Sequence, residues 1–331
     1  MARFFVTAIE QMDLAFDQLA IADLNYKRFA LMLIDNVVEL FLHRHAKEIE
    51  ISERSIFRAK KYPERIVANA VGSEFEDKVK LAKLSAKIDD PTGTSILTLH
   101  SFRNQAYHQG EANDLLLTAF AGFYFALACD LFIDHKPRSF RYSSKDVLPL
   151  RVMKHVGGKG LGQIPHESSE VFKRLKSAAL TISPNLATAV AADMERAIDD
   201  TDRYLDILVK DGERKNRDRA TKEVQAEKLL YAGKAKEWLR EKSLRPTTFD
   251  EALDLLCKNY KFAHLKDPVP AYRRRLENLR KEPCPHMLLK KHRDFMSQTE
   301  PFRNAVEQAA AALEAHIDAM THDIIDRRGE H

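Results

Sequence analysis

The chain is poor in the residues that interrupt helices or build disulfide frameworks. Only 11 glycines and 12 prolines occur in 331 residues, and long alternating apolar and polar runs are absent. Both features speak against a sandwich or barrel of short strands joined by many turns. Three cysteines, Cys129, Cys257 and Cys284, are an odd number without paired spacing, which excludes a disulfide scaffold and indicates free thiols in a reducing compartment. A cytoplasmic location is therefore expected. Consistent with this, Met1 to Val6 is not followed by the apolar stretch and small-residue cleavage site of an export signal. The formal net charge is only +4, too mild to mark a nucleic-acid binder unless it is concentrated on one face.

What is present is a helical pattern. Apolar residues make up 44% of the chain and charged ones 31%, and the apolar positions recur three and four apart, so an all-α protein with two packed regions is expected. The first, residues 1–135, reads as an up-and-down helical bundle with helices near 6–20, 23–47, 75–88, 92–109 and 115–133. Asp89-Asp90-Pro91-Thr92 places acidic caps and a first-turn proline before the fourth of these, and Gly110 stops it. Leu115 to Ile133 resembles a membrane span in composition. Its uncharged run ends at Asp130 after about 15 residues, short of the ~20 a bilayer needs, so it is expected to be a central bundle helix and not a membrane segment. Residues 136–167 read as a basic, Gly- and Pro-containing linker, and 168–331 as a second helical region that selects RNA or regulates access. In that region one charged helix is expected over 214–242, a capping box starts another at Thr248-Phe249-Asp250-Glu251, and separate helices follow over 271–281, 287–296 and 302–327.

Three features carry possible chemistry outside the first bundle. The linker is the most one-sidedly basic stretch, and Lys136, Arg138, Arg141, Lys154 and Lys159 are candidate RNA contacts; the bland alternative is a solvated loop. Its Gly157-to-Gly162 piece matches neither the phosphate loop nor the dinucleotide fingerprint. Tyr272-Arg273-Arg274-Arg275, with Arg280, Lys281, Lys290, Lys291 and Arg293, is a second basic patch, for which a solvated face is the better account. Cys257, His264, Cys284 and His286 are ligand types at no zinc spacing, so neither metal nor other cofactor is expected.

The stretch Leu99 to Gly110 is different in kind, because it places Arg103, Asn104 and His108 on one capped helix. Arginine supplies a fixed charge and a donor fork for a phosphoryl group, histidine moves protons near neutral pH, and asparagine orients either one. At about 100° per residue, Ser95, Leu99, Phe102 and Ala106 share one face, which must be the core face. Asn104 and His108 lie opposite it, with Arg103 at the edge and Tyr107 one turn on. On the earlier helix, Asp35, Asn36, Glu39 and His43 interrupt an otherwise apolar sequence as one narrow stripe, which either faces water or lines a polar groove against another helix.

Arg103-Asn104-Gln105-Ala106-Tyr107-His108, set in long helices, resembles the motif of the HEPN family, the higher eukaryotes and prokaryotes nucleotide-binding domains. That motif is Arg, often a polar residue such as Asn, and His after four to six residues; the resemblance covers roughly residues 5–135. It implies a helical bundle that dimerises through the motif helices. In active members it further implies a metal-independent endoribonuclease of toxin-antitoxin and anti-phage systems, with an antitoxin or other defence protein as partner. Arg103, Asn104 and His108 would then be catalytic, with Asp35, Glu39 and Tyr107 supporting them. Many toxin members continue His-x-Tyr, whereas Gln109-Gly110 follows His108 here, so the antitoxin that nucleotidylates that tyrosine is not implied. The competing class is a non-catalytic helical module that binds nucleotide, RNA or a protein, with Arg103 merely salt-bridged to Asp35.

Overall fold

The computed structural model describes residues 2–54, 60–109, 114–135, 148–156, 164–212 and 214–329. The protein is 82% helical, with 14 helices and no strand among the described residues, so it is all-α as its periodicity requires. Two compact units divide it, one formed by 1–190 with 282–290 and the other by 191–281 with 291–331.

In the first unit, α1 (Ala2–Ala20) and α2 (Leu24–Glu53) pack against each other across a short turn. Asp23 caps α2 by accepting from the Asn25 N–H at 2.8 Å. Helix α6 (Asp114–Ile133) packs against α1 and α2. It is long and apolar enough to cross a membrane, yet 83% of its most apolar window is buried inside the protein. A helix apolar on every side needs cover on every side. That requirement explains α8 (Ile164–Ile182), which lies beyond the basic linker in sequence but packs on α6 and α1. Phe132 of α6 stacks on Phe172 of α8, with ring centroids 4.6 Å apart. The division between units consequently falls inside α9 (Leu186–Lys210), not at residues 136–167. A close approach adds to this packing. A Cβ on Gly122, in the middle of α6, would collide with the Ser183 side chain at the end of α8, so only glycine fits there.

The shorter helices α3 (Glu64–Val71) and α4 (Phe75–Leu84) cover the outer half of α2, and α4 also meets α5 (Asp90–Gln109). Within the linker, α7 (Leu150–Val156) docks on α1, a contact the composition of that segment does not announce.

In the second unit the expected single helix over 214–242 is two, α10 (Arg217–Tyr231) and α11 (Lys234–Glu241). Gly233 separates them at φ +73°, a left-handed conformation that glycine adopts without penalty. This break lets α10 and α11 enclose a small core of Ala226, Ala235, Leu256, Cys257 and Phe262, to which α12 (Phe249–Asn259) contributes after its Thr248 cap. Helix α13 (Val269–Arg280) follows. The two helices expected over 287–296 and 302–327 are one, α14 (Pro285–Gly329), which continues through Pro301. Proline removes a backbone donor there. The Arg303 guanidinium reaches back to the Met296 carbonyl at 3.2 Å and to Thr299 Oγ1 at 3.0 Å, bracing the interrupted turn.

Candidate functional site

The motif helix α5 starts as its sequence dictates. Asp89 Oδ1 accepts from the Thr92 N–H at 2.8 Å, capping a helix that has Pro91 in its first turn. Along α5, Ser95, Ile96 and Leu99 are buried, whereas Ser101 and Asn104 are exposed. The polar side of the motif thus faces away from its own core.

The organising group is Asp35, a carboxylate with 0% exposure on α2. Burying a charge is costly unless donors surround it, and here three side chains on two helices, α5 and α6, supply them. Arg103 of α5 donates through Nε at 3.0 Å and Nη2 at 2.6 Å to Oδ2. The hydroxyl of Tyr124, on α6, donates to Oδ1 at 2.8 Å. His100, one turn before Arg103, places Nδ1 at 3.0 Å from both oxygens. The His100 ring lies flat on Phe75 of α4, with centroids 3.8 Å apart and planes within 10°.

The electrostatics follow from these contacts. Burial by itself pushes the Asp35 carboxyl upward, but the hydrogen bond and charge of His100, the Tyr124 hydroxyl and the Arg103 charge outweigh it and hold the group below its ordinary value. Asp35 is therefore ionised at neutral pH. Burial, then the neighbouring Asp35 charge, drive the Tyr124 phenol well above its ordinary value, so it stays a neutral donor. The cluster is not sealed: Arg103 is 29% exposed and His100 23%.

Asn104 joins the cluster by accepting from Arg103 Nη1 at 2.7 Å. An arginine carries five N–H donors, of which the contacts to Asp35 and Asn104 use three. Two remain for an anion among the described residues.

The other candidates are distributed differently. Glu39 does not hold Arg103; one turn beyond Asp35 on α2, it accepts from the buried Lys78 ammonium at 2.8 Å. The side chains of Tyr107 and His108 lie outside the described residues, as do Lys136, Arg138, Arg141 and Lys159. Lys154 is tied to Asp13 of α1 at 2.9 Å. In the second basic patch, Tyr272 is buried with its hydroxyl 3.1 Å from His264 Nε2. Arg273 pairs with Asp199 and Asp202, and Arg280 with Glu195 and Glu277. Local acids thus offset the charge of these two arginines. Among the described residues no group of His, Cys, Asp and Glu is placed to hold a metal ion; His286 is hydrogen-bonded to Ser95 at 2.8 Å, and Cys257 is buried with its thiol pushed up to about 11 by burial.

Two members of the site were not singled out from the sequence. His100 carried a usable signal, since i and i+3 on a helix are neighbours and Arg103 is three residues on. Tyr124 carried another, because a phenol inside a fully buried helix needs a hydrogen-bond partner. A scan of the chain against protein-family models, curated proteins and solved structures finds no match.

Proposed function

We propose that the first unit is a HEPN-type, metal-independent endoribonuclease acting as a homodimer, in the manner of toxin or anti-phage effectors. The observation that carries the proposal is Arg103, the arginine of the motif, fixed to a fully buried carboxylate while its outer donors reach solvent beside Asn104. Fixing a guanidinium in advance removes the reorganisation it would otherwise undergo as charge builds on phosphorus. In this scheme Arg103 holds the phosphoryl oxygens and Asp35 holds Arg103. His108 exchanges protons with the ribose 2'-hydroxyl and the leaving 5'-oxygen. The products are a 2',3'-cyclic phosphate and a 5'-hydroxyl. The exposed face bearing Ser101 and Asn104 is where a second copy of α5 would complete the site.

The test is cleavage of cellular RNA by the purified protein in EDTA. Wild type is expected to leave 2',3'-cyclic phosphate ends, and Arg103→Ala and His108→Ala are expected to lose activity by about 10²-fold or more. Absence of cleavage by wild type, or variants as active as wild type, would leave the non-catalytic binding module as the better account.

A further inference from the structure

His100 is held as a proton-transfer group is held. Its Nδ1 faces a carboxylate, which only accepts, so Nδ1 keeps its proton in either charge state and the proton the ring gains or gives up is the one on Nε2. Asp35 thereby fixes the tautomer, and Phe75 fixes the ring plane. A carboxylate behind an imidazole also stabilises the imidazolium that forms when Nε2 takes a proton. Among the described residues no protein group bonds Nε2, and the side chain reaches solvent. His100 and Arg103 share Asp35 Oδ2, so a phosphodiester held by Arg103 lies beside the His100 ring.

We propose that His100 is a catalytic residue of this site, the general base that takes the 2'-hydroxyl proton in place of His108, which keeps only the acid role; this rests on the ribonuclease proposal above. In the step, the 2'-O–H proton passes to His100 Nε2 while the 2'-oxygen lone pair forms the new bond to phosphorus. The bond from phosphorus to the 5'-oxygen breaks, and that oxygen leaves as a hydroxyl with a proton from His108. Exchange with water then returns both histidines to their starting state. Eight residues of helix separate His100 and His108, about 12 Å along the axis, which favours a partner chain's copy of His108 as the acid. The charged and titratable groups facing His100 are Asp35 on α2, Tyr124 on α6 and Arg103 on α5. The nearby Glu39 and Lys78 pair with each other.

The experiment compares wild type with His100→Asn on an RNA oligonucleotide in EDTA from about pH 5 to about pH 9, which spans the histidine range. The asparagine amide keeps a donor toward Asp35 and removes the ionisable Nε2. The expected result is a fall in kcat of about 10²-fold or more with little change in KM, and loss of the acidic limb of the pH profile. A merely structural histidine would leave that limb in place. Cleavage by both proteins with the same profile overturns the base role alone, and no cleavage by wild type overturns the ribonuclease proposal and the base role together. If His100→Asn does not fold, nitrogen-resolved NMR of wild-type histidines decides instead. Inorganic phosphate is then expected to shift His100 Nε2, and an unmoved signal overturns the role.

Discussion

Two buried aspartates anchor the first unit, and they use the same chemistry to different ends. Asp35 is 0% exposed and Asp13 is 1% exposed, and each is ringed by an arginine, a histidine and one further donor. Around Asp35 those donors come from α5 and α6, which are fixed by the main core. Around Asp13, on α1, they are Arg151 at 2.7 Å, Lys154 at 2.9 Å and His155 at 2.6 Å, all from α7, a helix of seven residues. The Asp35 cluster is therefore rigid and holds an arginine in position, whereas the Asp13 cluster fastens a short helix between two stretches of the basic linker. A buried ion cluster becomes a site only where the scaffold around it cannot leave.

Removing each carboxylate should expose this difference. Asp35→Ala leaves Arg103, His100 and Tyr124 without their acceptor and is expected to cost about 3 kcal/mol in urea unfolding, near the low end for breaking a buried pair because two of the partners reach water. A loss below about 1 kcal/mol would mean that the cluster does not brace the bundle. Tyr124→Phe removes only the hydroxyl and is expected to cost about 1.5 kcal/mol, the range of a hydrogen bond to a charged group. Asp13→Asn is expected to cost about 1 kcal/mol in global stability, because α7 can detach and return its cations to water. Its signature is instead local, with hydrogen exchange over residues 150–156 accelerated about tenfold or more and the α2, α5 and α6 amides unchanged.

Acid should weaken the unit in two stages. His135, packed among Phe4, Phe5 and Phe41, has its pKa lowered to about 4, first by burial and then by Lys87 and Arg44. The unfolded chain binds that proton near the ordinary value of 6.5, so stability falls as the pH drops from there toward 4. Asp13 and Asp35 follow. Burial raises both, and their hydrogen-bonding cations lower them further, to a net position below the ordinary 3.8. Their contribution is intact above that pH and is lost as the pH falls through the folded values. Urea midpoints measured against pH should show the first stage reduced in His135→Phe, with the remainder from His43, which burial and Lys78 also hold below its ordinary value, and the second reduced in Asp35→Asn.

Much of this was legible before any coordinates. The apolar run over 115–133 had to be covered on all sides, the Asp89-to-Thr92 sequence had to start a helix, and Asn104 had to lie opposite Leu99. Asp35 and Glu39 were both plausible partners for Arg103, and one turn of helix separates them. Choosing between them depended on where α4 and α6 approach α2, which brings Lys78 to Glu39 and Tyr124 to Asp35. Helix breaks were less legible: Gly233 divides a charged helix, yet Pro301 does not end one, because Arg303 and the surrounding packing support the turn.

Local pattern alone therefore determined the main helices of the first bundle, the caps at Asp89 and Thr248 and the face on which Asn104 stands, since periodicity and capping act within a few residues. Tertiary structure decided which carboxylate receives Arg103, that His100 and Tyr124 share it, and that α8 completes the first unit. Those pairings join residues tens of positions apart, and only the burial of α6 and the cost of an unpaired Asp35 select them.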